Sequence, residues 1–190
     1  MRIYTVGHST RPFEEFVALL RGAGTTLLVD VRIAPGSRRH PQFAGSALVQ
    51  ALPAHGIEYL HVKDLGGRRR PRPDSPHRAW RVEGFRGYAD YMETPAFAVA
   101  LDVVMARAAE ETVTLMCAEA VPWRCHRRLI ADALTVRGVE VVHLVGPTHS
   151  EPHELPAFAR VVGTQLIYDG EEMPLWPGQS GRATGRGKPR

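Results

Sequence analysis

A chain of 190 residues, 44% apolar and 23% charged, fits one globular domain with a substantial core and leaves little room for a second. No apolar run approaches the roughly 18 residues of a membrane span, and the N-terminus lacks the apolar region of a signal peptide, so we expect a cytoplasmic protein without a membrane partner. The net charge of +4 arises in a basic tail from residue 177 onward, which holds four of the 24 basic residues and no acidic one.

Apolar segments alternate with amphipathic ones along the chain, which is typical of a parallel sheet covered by helices. The predicted strands are residues 2–6, 26–31, 57–62, 112–117 and 139–145. The predicted helices run from Pro12 to Gly22 and over residues 44–54, 88–92, 95–109 and 125–136, with a short helix at 154–162 and an edge strand at 164–168. The fold class is therefore α/β: a single-domain, open, mostly parallel five-stranded sheet with helices on both faces, spanning residues 1–175, followed by a disordered basic tail at 176–190.

Polar or glycine residues follow the carboxyl ends of the predicted strands, where open parallel sheets bind their ligands. They are His8 and Ser9, Asp30 and Arg32, Gly66 and Gly67, Cys117 and Glu119, and His143 and His149. Their convergence predicts one site at this edge. For Asp30, a plain ion pair with Arg32 is an equally good interpretation.

The segment 116–128 carries the strongest chemical signal, because a thiol ends a strand and a helix begins with further reactive groups. Cys117 ends the strand, and Cys125, His126 and Arg127 open the helix. Helix N-termini bind anions and lower thiol pKa values, so either cysteine can serve as a thiolate nucleophile. A histidine with an ordinary pKa of about 6.5 can act as acid or base.

Three chemistries remain open for this segment: thiolate attack on a phosphorus or sulfur centre, a metal site and a redox pair of thiols. The metal ligands would be Cys117, Cys125 and His126, with His8 or Asp30. The spacing matches no CxxC-type zinc signature, so an anion site is favoured over a metal. For Cys125, simple packing at the start of a helix is the alternative.

Residues 68–86 contain seven arginines and two acidic residues. Their apolar residues show neither the helical nor the strand periodicity. Local arginine favours a phosphate-bearing partner: a small anionic or nucleotide-like substrate or, together with the tail, a nucleic acid. A solvated surface loop is the simpler alternative. The neighbouring aromatics Tyr88 and Tyr91 are expected to hold this loop to the core, and Leu65-Gly66-Gly67 matches no nucleotide-binding fingerprint.

The chain resembles the bacterial family known as domain of unknown function 488 (DUF488). The resemblance rests on motifs in the same order over residues 1–145. They are residues 4–10 (YTVGHST), 29–32 (VDVR) with Pro35 and Ser37, 65–67 (LGG), Phe85 with 88–92 (YADYM), and 115–119 (LMCAE) followed by 125–127 (CHR). The resemblance implies a single α/β domain and supplies no reaction.

Our leading hypothesis is an enzyme that uses a thiolate, as a transferase or hydrolase, on an anionic, phosphate-bearing substrate. The proposed nucleophile is Cys117, the acid/base or orienting groups are Asp30, Glu119, His8 and His126, and the substrate-binding residues are Ser9, Arg32, Gly66, Gly67, Arg124 and Arg127. The alternatives are a nucleic-acid-binding module without catalysis and a metal-dependent hydrolase. Neither a cofactor nor an oligomeric state follows from the sequence.

Overall fold

An open sheet of six strands forms the centre of the computed structural model, which describes residues 1–36 and 38–170. The strands are β1 (Arg2–Gly7), β2 (Leu27–Asp30), β3 (Glu58–His61), β4 (Val113–Cys117), β5 (Glu140–Gly146) and β6 (His149–Pro152). Their order is β3-β2-β4-β1-β5-β6, and every neighbouring pair is parallel except β5 and β6. The predicted open, mostly parallel α/β domain is confirmed, with one strand more than the predicted five.

In the described part of the chain, five helices cover the sheet: α1 (Phe13–Gly22), α2 (Gly45–Ala51), α3 (Glu83–Tyr91), α4 (Pro95–Ala108) and α5 (Arg127–Thr135). Local sequence explains where they begin. Pro12 has a fixed φ that suits the approach to α1, whose first turn carries acidic side chains. Thr94 caps α4 by accepting the Phe97 N–H, and Pro95 occupies the first helical position, where its missing N–H costs nothing.

The two faces of the sheet bury two separate apolar clusters. Helices α1 and α2 pack on one face, around Phe16 and Leu48, while α3, α4 and α5 pack on the other, around Leu101 and Ile130. Strands β2 and β4 are buried along their whole length because helices cover them on both sides.

A topological switch point of the sheet lies at the carboxyl end of β4. The chain leaves β4 toward α5 on one face, whereas it leaves the neighbouring strands β1 and β2 toward α1 and α2 on the other. Such a switch in direction is where open α/β sheets place their ligand sites. The residue that ends β4 is Cys117, paired in register with Gly7 of β1.

The C-terminal part of the described chain differs from prediction. The helix predicted at 154–162 is wrong, because β7 (Ala159–Val162) pairs with β8 (Gln165–Tyr168) in a separate antiparallel hairpin. Gly163, with φ of +63°, makes the tight turn that an L side chain resists. The predicted edge strand at 164–168 exists, but outside the main sheet. The tail predicted at 176–190 lies outside the described residues.

Pro53 divides the helix predicted at 44–54 into α2 and a 3₁₀ turn, Leu52–His55. Similar turns occur at Pro41–Phe43, Lys63–Leu65 and Pro122–Arg124. Within residues 1–36 and 38–170, no helix combines the length and apolar character that crossing a bilayer requires.

Candidate functional site

Backbone hydrogen bonds bring the loops after β1 and β4 together. The His8 N–H donates to the Cys117 carbonyl at 3.0 Å, and the Ser9 N–H donates to the Ala118 carbonyl at 2.9 Å. A side chain at Gly7 would overlap the carbonyl of Glu119, so only glycine permits this approach. Ser9 adopts a left-handed φ of +49°, an uncommon conformation that is often found at functional sites.

Asp30 and Arg32 form a buried ion pair with each other. The Arg32 Nε donates to Asp30 Oδ1 at 2.8 Å, and another guanidinium nitrogen donates to Oδ2 at 2.5 Å. Tyr59 donates its hydroxyl hydrogen to the same Oδ2 at 2.8 Å, and the Phe43 carbonyl accepts from Arg32. Burial and the Asp30 contact raise the pKa of Tyr59. The simple ion-pair interpretation of Asp30 therefore describes its contacts, and predicted roles for both residues in acid–base chemistry or anion binding stay predictions.

His8 lies against this ion pair as a neutral ring. Its Nε2 is 3.2 Å from an Arg32 nitrogen, which can only donate, so Nε2 accepts and Nδ1–H donates to the Ser9 carbonyl at 2.9 Å. The ring stacks on Phe43 with centroids 4.4 Å apart. Burial lowers the pKa of His8, which favours the neutral form.

Two thiols meet one imidazole nitrogen at the end of β4. His126 Nδ1 lies 3.9 Å from Cys117 Sγ and 3.7 Å from Cys125 Sγ, and His126 Nε2 lies 3.1 Å from the Val31 carbonyl oxygen. A carbonyl can only accept, so Nε2 carries a hydrogen and Nδ1 is directed at the sulfur atoms. We call these three residues the thiol cluster. Both thiols are free, with Cys117 7% and Cys125 2% exposed.

Contact between the two thiols shifts their pKa values in opposite directions. The contact with Cys125 is the main reason that the pKa of Cys117 lies well below its ordinary value, against the opposing effect of burial. The contact with His126 lowers it further. The contact with Cys117, together with burial, raises the pKa of Cys125 well above its ordinary value. Cys117 is thus the more acidic thiol of the pair.

The predicted glycine pair packs directly on the thiol cluster. A Cβ placed on Gly67 would lie 2.8 Å from His126 Nδ1, and one on Gly66 would overlap the Ile33 side chain. Tyr88 fixes the pair in place, because its hydroxyl donates to the Leu65 carbonyl at 2.7 Å and its ring centroid is 5.1 Å from that of His126. The glycines therefore leave room for the imidazole.

Of the remaining predicted site residues, one is held by hydrogen bonds to the backbone and two are exposed to solvent. Arg127 is buried, and its two terminal nitrogens donate to the backbone carbonyls of Glu119 and Ala120, so its guanidinium holds the loop after β4. Glu119 and Arg124 have exposed side chains. Within the described part of the chain, the Arg124 guanidinium has no ion pair. An anion-binding role remains a prediction for both arginines.

A metal ion is the group that the thiol cluster can hold. The two sulfur atoms and the imidazole nitrogen all lie within 4.8 Å of one another. The predicted additional ligands, His8 and Asp30, are engaged with Arg32 and Ser9 as described above. A hydrogen bond from the other ring nitrogen to a backbone carbonyl, as His126 Nε2 makes to Val31, is also typical of metal-binding histidines.

Part of the arginine-rich segment is engaged with the chain itself. Arg72 contacts Asp90 and Glu93, and the Arg69 guanidinium stacks over the Tyr91 ring at 3.6 Å. Tyr91 donates its hydroxyl hydrogen to the Asp64 carbonyl, as expected of a residue that holds the loop to the core. Nucleic-acid binding through this segment stays a prediction.

His143, expected at a strand end, lies in the middle of β5 in a buried network that we call the histidine chain. Its Nδ1 is 2.7 Å from the Thr5 hydroxyl, and its Nε2 is 3.0 Å from His153 Nδ1. His153 Nε2 is 2.7 Å from Asp132 Oδ1, and Tyr168 donates to Asp132 Oδ2 at 2.8 Å. Burial lowers the pKa of His143 to about 3. His149 is paired with Glu151 at the surface.

Sequence reasoning missed the contact partners more than the reactive groups. Tyr59 and Phe43, which complete the Asp30–Arg32 pair, carry no motif that marks them. The sequence alone does not decide whether Cys125 is a reactive thiol or a packing residue, although its position next to His126 in the sequence favours a place in the site.

The fold and the cluster define a class: an α/β domain with two free thiols and an imidazole at the switch point of its sheet. The chain belongs to the family described as Domain of unknown function DUF488, whose match covers residues 12–134, more than half of the chain. That range includes the whole thiol cluster and the Asp30–Arg32 pair but not His8. Searches among curated proteins and among solved structures each found no match.

Proposed function

We propose that the protein is a cytoplasmic enzyme that uses the Cys117 thiolate to attack an anionic, phosphate-bearing substrate. One observation carries the proposal: Cys117 ends β4 at the switch point of the sheet, with its sulfur 3.9 Å from His126 Nδ1. A nucleophilic thiol beside a base that is itself oriented by a third group is the arrangement of covalent catalysis. Here the orienting group is the Val31 carbonyl.

The chemistry follows from these contacts. His126 takes the thiol proton through Nδ1, and the Cys117 sulfur attacks phosphorus. A sulfur–phosphorus bond forms as the bond from phosphorus to the leaving oxygen breaks, and the imidazolium returns its proton to that oxygen. Water then displaces the sulfur in a hydrolase, or a second acceptor does so in a transferase. Cys125 stabilises the thiolate by donating its S–H.

In this proposal, the anion is bound by groups that follow the carboxyl end of β4 and by their neighbours. Arg124 is exposed one residue before Cys125, and α5 begins with its positive end immediately after His126. Arg32 and Arg127 contribute a fixed positive field while their nitrogens hold Asp30 and the loop carbonyls. Ser9 and the backbone at Gly66 and Gly67 complete the proposed binding surface.

Hydrolysis of p-nitrophenyl phosphate in reductant and chelator tests the proposal. We expect Cys117→Ser to reduce turnover to the level of buffer, a loss of about a thousandfold or more, because a serine hydroxyl is far less nucleophilic at neutral pH. Cys125→Ser, the matched control, keeps the nucleophile and retains measurable turnover. Full activity of Cys117→Ser would overturn nucleophilic catalysis, and inactivity of the wild type would overturn the phosphomonoester substrate class.

A second candidate, a metal-dependent hydrolase, is favoured by the dimensions of the thiol cluster. Tetrahedral zinc with bonds of about 2.3 Å to sulfur and about 2.0 Å to nitrogen places the two ligand atoms about 3.5 Å apart. The observed separations of 3.7 and 3.9 Å are close to this value. A zinc ion held by three protein ligands would supply an activated water.

Cobalt(II) titration separates the two candidates. A metal site predicts one ion bound per chain, with the intense near-ultraviolet absorption of cobalt–thiolate bonds, and turnover that a chelator removes. Turnover that persists in chelator, with no thiolate band, supports the first proposal instead.

A further inference from the structure

The chain contains two cysteines in all, and folding places both in one cluster. Their sulfur atoms lie within 4.8 Å of each other, although eight positions separate them in sequence. The proposed reaction consumes only Cys117 and gives Cys125 no bond-making step. A second thiol beside a nucleophilic thiol can itself react with that thiol once the latter is oxidised.

Backbone geometry allows the two sulfur atoms to approach. Cys125 has an extended conformation, with φ of −132° and ψ of 143°, and lies between the turn Pro122–Arg124 and the start of α5. Its N–H donates to the Pro122 carbonyl at 2.9 Å and its carbonyl accepts from the Arg128 N–H at 3.1 Å, so closure to a disulfide length of about 2.05 Å has to shift these two contacts. Arg127 holds the intervening loop by its carbonyls at 119 and 120, which keeps the two thiols together.

We propose that Cys117 and Cys125 form a hydroperoxide-reactive pair that closes to a reversible disulfide. The Cys117 thiolate attacks one peroxide oxygen, the O–O bond breaks, and the departing hydroxide or alkoxide takes up a proton, which leaves Cys117 as a sulfenic acid. The Cys125 sulfur then attacks the Cys117 sulfur, the S–O bond breaks, and water leaves with the thiol proton. Two thiols are oxidised and one hydroperoxide is reduced.

The assignment of the two roles follows from exposure and contact. Cys117 is the more exposed residue, 7% against 2%, and ends β4 at the switch point of the sheet, so a small oxidant reaches it first. Cys125 is deeper and faces Cys117, as a resolving thiol must. Closing the disulfide also removes both sulfur contacts of His126 Nδ1. Loss of enzymatic turnover on oxidation rests on the proposed function, whereas formation of the disulfide does not.

Titration of the full chain with hydrogen peroxide, followed by intact mass and thiol counting under denaturing conditions, tests the proposal. We expect free thiols to fall from two to none, the mass to fall by two hydrogen atoms, and dithiothreitol to restore both values. A disulfide-linked dimer, or added oxygen atoms without a disulfide, would overturn it.

The two single variants assign the roles. Cys125→Ser should stop at the sulfenic acid, which dimedone labels on Cys117, and Cys117→Ser should keep its thiol under the same peroxide dose. Oxidation of Cys117→Ser at the rate of the wild type would overturn the assignment of the attacking sulfur. Because mass and thiol count are measured without substrate, a failed disulfide and a failed phosphatase assay remain separate results.

Discussion

The thiol cluster and the histidine chain are both polar groups enclosed by the same fold, yet their hydrogen bonding differs. In the histidine chain each hydrogen has one acceptor: Thr5 donates to His143, His143 to His153, and His153 to Asp132. The thiol cluster instead directs two sulfur atoms at a single nitrogen, at the longer separations of 3.7 and 3.9 Å.

The difference separates a structural group from one that we propose to be reactive. A buried chain whose donors and acceptors all match rigidifies the core and has no capacity left for a ligand. Two thiols that share one imidazole keep unused hydrogen-bonding capacity and can exchange a proton among themselves. Burial of polar groups alone is therefore a poor guide to function, and the matching of donors to acceptors is a better one.

Breaking the histidine chain at its acceptor is expected to have the largest effect on stability. Asp132→Ala leaves the His153 N–H and the Tyr168 hydroxyl without their acceptor in the interior, at a cost of about 3 kcal/mol in the free energy of unfolding. Urea denaturation measures it. Asp102→Ala, at an exposed position of α4, is the control. A loss below that of the control would show that the chain is dispensable.

Acid should destabilise the protein through His143. Its pKa of about 3 in the fold lies below its ordinary value of 6.5, so between these values the unfolded chain binds a proton that the folded chain does not. Stability is thus intact above pH 6.5 and falls by about 1.4 kcal/mol per pH unit below it, or about 2 kcal/mol at pH 5. His143→Asn should flatten this dependence in denaturation curves, whereas the exposed His55→Gln should leave it unchanged. Equal slopes for all three proteins would contradict the assignment.

A smaller change sharpens the comparison from the side of the thiol cluster. Gly67→Ala places a methyl group 2.8 Å from His126 Nδ1, so the imidazole must shift by a few tenths of an ångström. We expect turnover to fall about tenfold, since catalysis depends on geometry at this scale. Gly22→Ala, with open space around its Cβ, is the matched control. Unchanged turnover of Gly67→Ala would mean that the position of His126 is unimportant.

The smallest expected effect concerns the Asp30–Arg32 pair, which resembles the histidine chain in being satisfied. Tyr59→Phe removes one hydrogen bond to Asp30 Oδ2, which already accepts from Arg32, at a cost of about 1 kcal/mol in stability. Thermal denaturation measures it, and turnover should stay within twofold of wild type. A large loss of activity would instead place Asp30 in the reaction.

Much of the fold follows from the sequence because a buried parallel strand is a continuous apolar run. Residues 26–31 and 112–117 have this pattern, and they became β2 and β4, buried along their whole length. The strand β6 was missed because His149–Pro152 is polar and ends in proline. The helix predicted at 154–162 is wrong over the first strand of the hairpin, β7. The Gly163-Thr164 pair between apolar residues indicates the turn of a hairpin instead.

The candidate site also follows from the sequence only in part. The proximity of Cys117 and His126 can be predicted without knowledge of side-chain packing, because the carboxyl ends of parallel strands all lie at one edge of the sheet. The pairing of Arg32 with Asp30 is one of two interpretations that the sequence favours equally. The contacts of Arg127 could not be foreseen, because a guanidinium can hold an anion or its own backbone, and tertiary contacts decide which. His143 was expected at a strand end, but its register opposite Thr5 places it mid-strand.

The contact at Gly7 has a consequence for how this sequence can vary. The last residue of β1 touches the carbonyl of residue 119, backbone to backbone, with no volume left for a methyl group. In a library randomised at every position, only glycine would be accepted at position 7. Folded variants would retain this glycine as strictly as active variants retain the two cysteines, but for a steric reason rather than a chemical one.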